Sequence, residues 1–382
     1  MYIIPLTISF IIAIPAVLII KRLALKYKII DDPADSSERR LHSEPIPLLG
    51  GLAIFLGFFA IAAYYAFRTD RILFSTSSIL PKHLLGIFIG ALILMIGGFL
   101  DDKYKLKPKY SIIAPILASI VVIISGVAIT YITNPFGGVI KLDLWKIVLF
   151  KWNRLPYKIS LPSDLITFFW ILGMIYTTKL LDGLDGLAAG ITAIGAIVIF
   201  GASLSKVYII PQVALLSIIL AGTAAGFLIF NFNPAKIFLG EGGSTMCGFL
   251  LASLAILSQG KIAVTLLVMG IPILDVLWVI GRRVFGGYSL FQREVRRDFS
   301  EVGSMGNRIF QADRKHLHHR LLDAGFSHRG AVLFLYLITA IFGITSLFLQ
   351  SKGRFVALGM LFAVMVVVGI WAVRRYRKEI RN

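Results

Sequence analysis

The 382-residue sequence predicts an all-α, polytopic integral membrane protein, and three observations predict it. Apolar residues make up 57% of the chain, charged residues only 15%, and the mean hydropathy is +0.84. Ordinary soluble domains carry about 25% charged residues, and a helix needs about 20 mostly apolar residues to cross a bilayer. Eleven runs approach that length, at 2–20, 48–67, 83–100, 111–132, 162–181, 186–205, 208–229, 245–257, 261–280, 331–349 and 354–373. The eighth, with 13 residues, is short for a full span. No internal repeat or low-complexity linker divides the chain, so residues 1–382 read as one integral domain. No positive charge precedes the first apolar run, while Lys21 and Arg22 follow it, so no cleavable signal is expected. Cys247 is the only cysteine, which excludes an internal disulfide and a cysteine-based metal site.

The net charge of +19 would suit a nucleic-acid partner if it formed one patch, but it is distributed by topology. With the N-terminus outside, 27 of the 39 Lys and Arg residues fall on the inner side, ten of them in 282–330. The positive-inside rule then gives N-out, C-in, and the basic excess needs no nucleic acid to explain it. Five of the outer charges lie in 133–161, where VIKLDLW alternates enough for a short extracytoplasmic hairpin.

On that topology the acidic residues gather in loops that all face the cytoplasm. The first loop, ERRLHSEPIPLLGG, places Arg39, Arg40 and His42 ahead of two prolines and a glycine pair, with His42 a substrate-binding candidate. The second, GFLDDKYKLKPKYS, ends a helix on Asp101 and Asp102 and continues with Lys103, Lys105, Lys107 and Lys109. In the third, KLLDGLDGLAAG, a helical stretch would put Asp182 and Asp185 on one face. The fourth, NFNPAKIFLGEGGS, has glycines that let backbone approach a phosphate closely. Adjacent aspartates at a helix end are usually solvated and oppose the helix dipole. Carboxylates from three loops beside many cations nevertheless fit a site for Mg²⁺ and a diphosphate, because Mg²⁺ takes one or two carboxylates plus substrate oxygens.

A fifth cluster, RKHLHHRLLDAGFSHRG, places three of the six histidines, His316, His318 and His319, within four positions. If it is helical, His316 and His319 share a face and His318 points elsewhere. Only Asp313 is at hand to complete a zinc shell. Imidazole and guanidinium groups here suit sugar hydroxyls and phosphate oxygens instead, so 282–330 reads as a cytoplasmic sugar-recognition loop.

Taken together, DDKYKLKP, LLDGLDGLAAG, NPAKIFLGEGGS, GIPILDVLWVIGRR and DRKHLHHRLLDAGFS, in this order from about Arg39 to Gly330, resemble the polyprenyl-phosphate N-acetylhexosamine-1-phosphate transferases. HLHHRLL is similar to the GlcNAc-1-phosphate transferases of that family, whereas the peptidoglycan translocase has three consecutive histidines. Eleven spans also suit the former better than the translocase's ten. A rival pattern, that of the CDP-alcohol phosphotransferases, fails where Gly190 stands in its arginine position.

The resemblance implies a plasma-membrane enzyme with a cytoplasmic active site. It would pass GlcNAc-1-phosphate, or a related N-acetylhexosamine phosphate, from the UDP-sugar to undecaprenyl phosphate, releasing UMP for cell-envelope polysaccharide synthesis such as O-antigen or teichoic acid. The alternative is a catalytically impaired member that binds the lipid phosphate or nucleotide sugar. The cofactor it implies is Mg²⁺, with Mn²⁺ as a substitute; membrane lipids are expected partners and a homodimer is left open. It makes Asp101, Asp102, His318 and His319 catalytic, with Asp102 the base or orienter of the lipid phosphate. Gly183, Leu184, Asp185, Asn231 and Phe238 would form the uridine pocket, His316 and Arg320 would join in holding diphosphate and sugar, and Glu241, Asp182 and Asp185 would serve the metal. Three positions depart from the family pattern, which has Asp at Glu241, Asn at Lys179 and commonly Lys at Ser111. Lys179 is expected to touch a diphosphate oxygen. The stretch between Arg283 and His316 also looks long, with Arg293, Arg296 and Arg297 suited to lipid headgroups.

Overall fold

A computed structural model describes residues 2–32, 44–68, 79–134, 137–152, 155–205, 209–258, 262–285 and 317–381. Among these, eight helices are long and apolar enough to cross a membrane. They are α1 (Ile3–Lys26), α2 (Gly50–Arg68), α3 (Pro81–Tyr104), α6 (Ser163–Leu181), α8 (Pro211–Asn231), α9 (Gly240–Leu257), α13 (His328–Phe348) and α14 (Ser351–Arg381). Short α4 (Pro108–Ser111) leads into the apolar helix α5 (Ile113–Ile124), and α7 (Leu187–Ser203) is a second shorter apolar helix. The run expected at 261–280 is broken into α10 (Ile262–Val268) and α11 (Gly270–Phe285), and α12 (Leu317–Asp323) carries the histidine motif.

The run expected to be too short, 245–257, begins earlier than its apolar residues do. α9 starts at Gly240 and recruits the GEGGS glycines as its first turn. It is also the inner axis of the bundle: 94% of its span is buried, against 28% for α1 and 17% for α14. Lipid tails are as apolar as leucine, so helices in a membrane associate through close packing of small residues. Here a methyl group on Gly51 of α2 would overlap Gly243, and one on Gly98 of α3 would overlap Gly242. The outer helices present apolar side chains outward instead, such as Ile3, Leu337 and Phe355.

Among the described residues there are also three two-stranded ribbons: β1 (Ile30–Asp31) with β2 (Ile46–Pro47), β3 (Tyr131–Thr133) with β4 (Val139–Lys141), and β5 (Trp145–Trp152) with β6 (Leu155–Leu161). All pairs are antiparallel. VIKLDLW is therefore not itself a hairpin, because it contributes β4 and the start of β5, each paired elsewhere. The two ribbons between α5 and α6 lie at the end of the bundle opposite the motif loops; Ser163 Oγ donates to Ile129 O at 2.8 Å and fastens them there.

Candidate active site

At the motif end the chain builds its first corner from DDKYKLKP. α3 stops at Tyr104 because Lys105 turns left-handed, φ 49°, and its N–H donates to Asp101 O at 2.8 Å. Asp101 then holds the turn with its side chain. One carboxylate oxygen accepts from Leu106 N at 2.9 Å and the other from Ser111 Oγ at 2.7 Å. Asp102 faces α9, and both its oxygens accept from Glu241 N at 3.1 Å. A carboxylate at a helix N-terminus meets unpaired N–H groups and the positive end of the dipole, so Asp102 welds the second loop to the fourth.

Lys179, in the last turn of α6, forms an ion pair with Glu241 and donates to Ser111 Oγ at 3.3 Å. The three residues that depart from the family pattern therefore form one chain, Glu241–Lys179–Ser111, which continues to Asp101. The Lys179 ammonium, expected to touch a diphosphate oxygen, rests on Glu241 in this structure.

Asp182 caps the end of α6, and no helix carries both Asp182 and Asp185. The helix already ends at Leu181, residues 182–186 form turns, and α7 starts after Gly186, whose φ of +82° makes it a left-handed N-cap. Asp182 keeps some exposed surface. Burial of its carboxyl, followed by the nearby charges of Glu241, Asp102 and Asp185, pushes its pKa well above the ordinary carboxylate range.

Asp185 belongs to a different environment. Its Oδ2 accepts from Asn233 Nδ2 at 2.9 Å and Ala235 N at 3.1 Å. Asn231 is buried; its Oδ1 accepts from Gly186 N at 3.1 Å and its Nδ2 donates to Ile237 O at 2.9 Å. Leu184 is buried, Gly183 is exposed, and half-buried Phe238 exchanges backbone hydrogen bonds with Pro47 and Gly50. These five residues, expected to share a pocket, do lie in two loops tied to each other.

In α12, His318 is buried with its Nε2 against Gly183, while His319 and Arg320 are half-buried. The rings of His318 and His319 are 4.4 Å apart. α12 thus turns His318 toward the DGLDG loop, with the His319 ring beside it. What anchors it is Asp275 of α11, whose Oδ1 accepts from Leu317 N at 2.9 Å. His316 and His42 lie outside the described residues, as do Arg39, Arg40, Asp313, Arg293, Arg296 and Arg297.

Sequence reasoning missed Asp275, Asn233, His328, Arg329 and Tyr336. Asp275 and Asn233 lie inside quoted motifs, but nothing in their spacing marks them as anchors. Among the described residues, no three His, Cys, Asp or Glu side chains form a ready-made metal cage. Such a cage is not what Mg²⁺ requires, since substrate oxygens supply part of its shell. The all-oxygen donor set and the crowding of negative charge around Asp182 fit a hard cation.

A helical membrane bundle with its carboxylates, a lysine and two histidines at one end defines a class of integral membrane transferase, and comparison with known proteins narrows it. The Glycosyl transferase family 4 model matches residues 84–259. The chain is 31% identical over 379 residues to a probable undecaprenyl-phosphate N-acetylglucosaminyl 1-phosphate transferase of Bacillus subtilis, covering 96% of this chain and 91% of that protein. It is 34% identical over 328 residues to a decaprenyl-phosphate N-acetylglucosaminephosphotransferase of Mycobacterium leprae, covering 78% and 72%. An undecaprenyl-phosphate alpha-N-acetylglucosaminyl 1-phosphate transferase of Yersinia pestis is 24% identical, covering 95% and 90%. The chain belongs to the polyprenyl-phosphate N-acetylhexosamine-1-phosphate transferase family.

Proposed function

We infer that the chain transfers GlcNAc-1-phosphate from UDP-GlcNAc to a polyprenyl phosphate, with undecaprenyl phosphate the expected acceptor. A phosphate oxygen of the lipid attacks the sugar-linked phosphorus; the bond from that phosphorus to the bridging oxygen breaks, and UMP leaves. One phosphoanhydride replaces another, so the exchange is nearly balanced. The observation that carries this reading is the joining of the DDKYKLKP and GEGGS motifs by Asp102 and Glu241 N, with Lys179 between them.

Phosphoryl transfer depends mainly on positioning and charge neutralisation. Asp102, fixed by α9, orients the incoming lipid phosphate, which is largely ionised near neutral pH and has little need of a base. His318, His319 and Arg320 meet the diphosphate and sugar; Gly183, Leu184, Asp185, Asn231 and Phe238 hold the uridine. Asp182 and Glu241 would hold Mg²⁺, with Asp185 contributing through the oxygen that Asn233 and Ala235 leave. Mg²⁺ supplies neutralisation of diphosphate charge when bound. Lys179 then passes from Glu241 toward a diphosphate oxygen.

The motif end faces the cytoplasm in this reading, with the N-terminus outside and the plasma membrane as location. Exposed Lys103, Lys105, Lys107 and Lys109 beside exposed Tyr104 and Tyr110 fit an anionic inner-leaflet surface. The count of eleven spans would be met if α5, α7 and the α10–α11 pair also cross.

One observation favours a second reading, a binding protein with impaired catalysis: the Lys179 ammonium already neutralises Glu241. Incubating the purified chain with UDP-GlcNAc and undecaprenyl phosphate separates the two. Mass spectrometry should find the lipid-diphosphate-GlcNAc; retention of bound UDP-GlcNAc with no such product would select the binding protein. UDP-GalNAc in the same assay sets the sugar.

A further inference from the structure

The first turns of α13 grip both loops that the uridine reading uses. His328 Nε2 accepts from Asp185 N at 2.9 Å. Next to it, Arg329 Nε donates to Asn233 O at 2.8 Å, and Asn233 in turn donates to Asp185 Oδ2. Two turns further on, the Tyr336 hydroxyl donates to Gly186 O. Its ring lies directly on Gly190, where a methyl group would overlap it. Ser327 Oγ accepts from Gly330 N at 3.1 Å and fixes the start of α13. The Asp185–Gly186 segment is thus held from α13 at two backbone atoms, while Asn231 and Asn233 hold it from the other loop.

We propose that His328 and Tyr336 are positioning residues for nucleotide recognition, fixing the Asp185–Gly186 backbone from α13 so that the DGLDG and NFNPAK loops close on one nucleotide. The proposal rests on the reading that these loops hold uridine. Accepting at Nε2 requires a neutral imidazole protonated at Nδ1, so the ring acts through geometry. Neither residue reaches the Asp102–Glu241–Lys179 cluster by any hydrogen bond described above, so the effect falls on nucleotide affinity and leaves the chemical step nearly intact.

Titrating UMP into the purified full chain tests this, with UDP-GlcNAc turnover measured on the same preparations. His328→Ala and Tyr336→Phe should each weaken UMP roughly five- to tenfold, the scale of one lost hydrogen bond. KM for UDP-GlcNAc should rise to match while kcat changes less than about twofold. His328→Gln, whose Oε1 can accept from Asp185 N, should recover most of the affinity, which a purely structural role for the ring would not allow. Asp185→Ala is the control for the reading beneath: unchanged UMP affinity in that variant removes uridine from these loops, and the proposal with it. If Asp185→Ala weakens UMP while folded His328→Ala and Tyr336→Phe bind it like wild type, the proposal alone is overturned. A fall in kcat with unchanged KM also overturns it.

Discussion

The two halves of the site are built from similar polar residues and differ in how they satisfy them. Around Asp185 the partners are mostly neutral: Asn233 and Ala235 N meet its carboxylate, while Asn231, His328 and Tyr336 hold the backbone of Asp185 and Gly186, and exposed Arg329 joins through Asn233 O. Around Asp102, Asp182 and Glu241 the interactions are between charges, and Lys179 is the ammonium that reaches in. A neutral, satisfied network holds shape, because leaving any member unpaired is costly. A charge-rich cluster holds shape less well but responds to an arriving metal cation and the phosphate that cation neutralises. The first half suits recognition of a nucleotide and the second suits movement of phosphoryl charge.

Breaking the charged half should produce the larger effects. Glu241→Ala should abolish the turnover that Mg²⁺ stimulates, as seen in a metal titration; unchanged Mg²⁺ dependence would move the ion to Asp182 and Asp185. Asp102→Asn should lower kcat by roughly 10²-fold, the scale of a positioned catalytic group, with UMP affinity close to wild type. A carboxamide oxygen can still accept from Glu241 N, so the fold should survive, and circular dichroism checks it.

Those two residues also mark what the sequence could tell. The membrane class, the order of the five motifs and the convergence of their loops are legible in it, because hydropathy and short motifs are local properties. The α9 span is read too short because GEGGS resembles loop, and only the approach of Gly51 and Gly98 shows why a helix needs glycine there. A shared face for Asp182 and Asp185 needs a helix through both, and the end of α6 at Leu181 removes it. Lys179 and Glu241 stand out in the sequence as departures, but their ion pair spans 62 positions of chain and carries no local signal. Asp275 and His328 act through long-range hydrogen bonds, which leave no periodicity to find.

In the neutral half, Asn231→Ala would strand Gly186 N and Ile237 O, each worth about 1–3 kcal/mol when buried and unpaired. It should lower the melting temperature and weaken UMP at least tenfold, with KM rising more than kcat falls. An equal loss in kcat alone would erase the division between the halves.

The pairing of Lys179 with Glu241 sharpens the comparison further. Lys179→Asn with Glu241→Asp should retain at least about threefold more activity than the product of the single effects, as expected of contacting residues. Strict additivity would mean the two act independently.

The smallest effect concerns stability. Asp182 has a folded-state pKa above its unfolded value, so its ionisation near neutral pH costs the folded state more than the unfolded one. That cost is absent below the unfolded pKa and grows as pH rises toward the folded one. In EDTA at neutral pH, Asp182→Asn should therefore raise the melting temperature while impairing turnover. A lower melting temperature would show that the carboxylate supports the metal-free fold.

The central claim, that this end of the bundle exchanges UMP for a lipid phosphate, is tested most directly by UMP release from UDP-GlcNAc with and without polyprenyl phosphate. Release that requires the lipid, and that is lost in both Asp102→Asn and Glu241→Ala, is the predicted result. UMP release of equal rate without lipid, or none with it from folded protein that binds UDP-GlcNAc, would contradict the account.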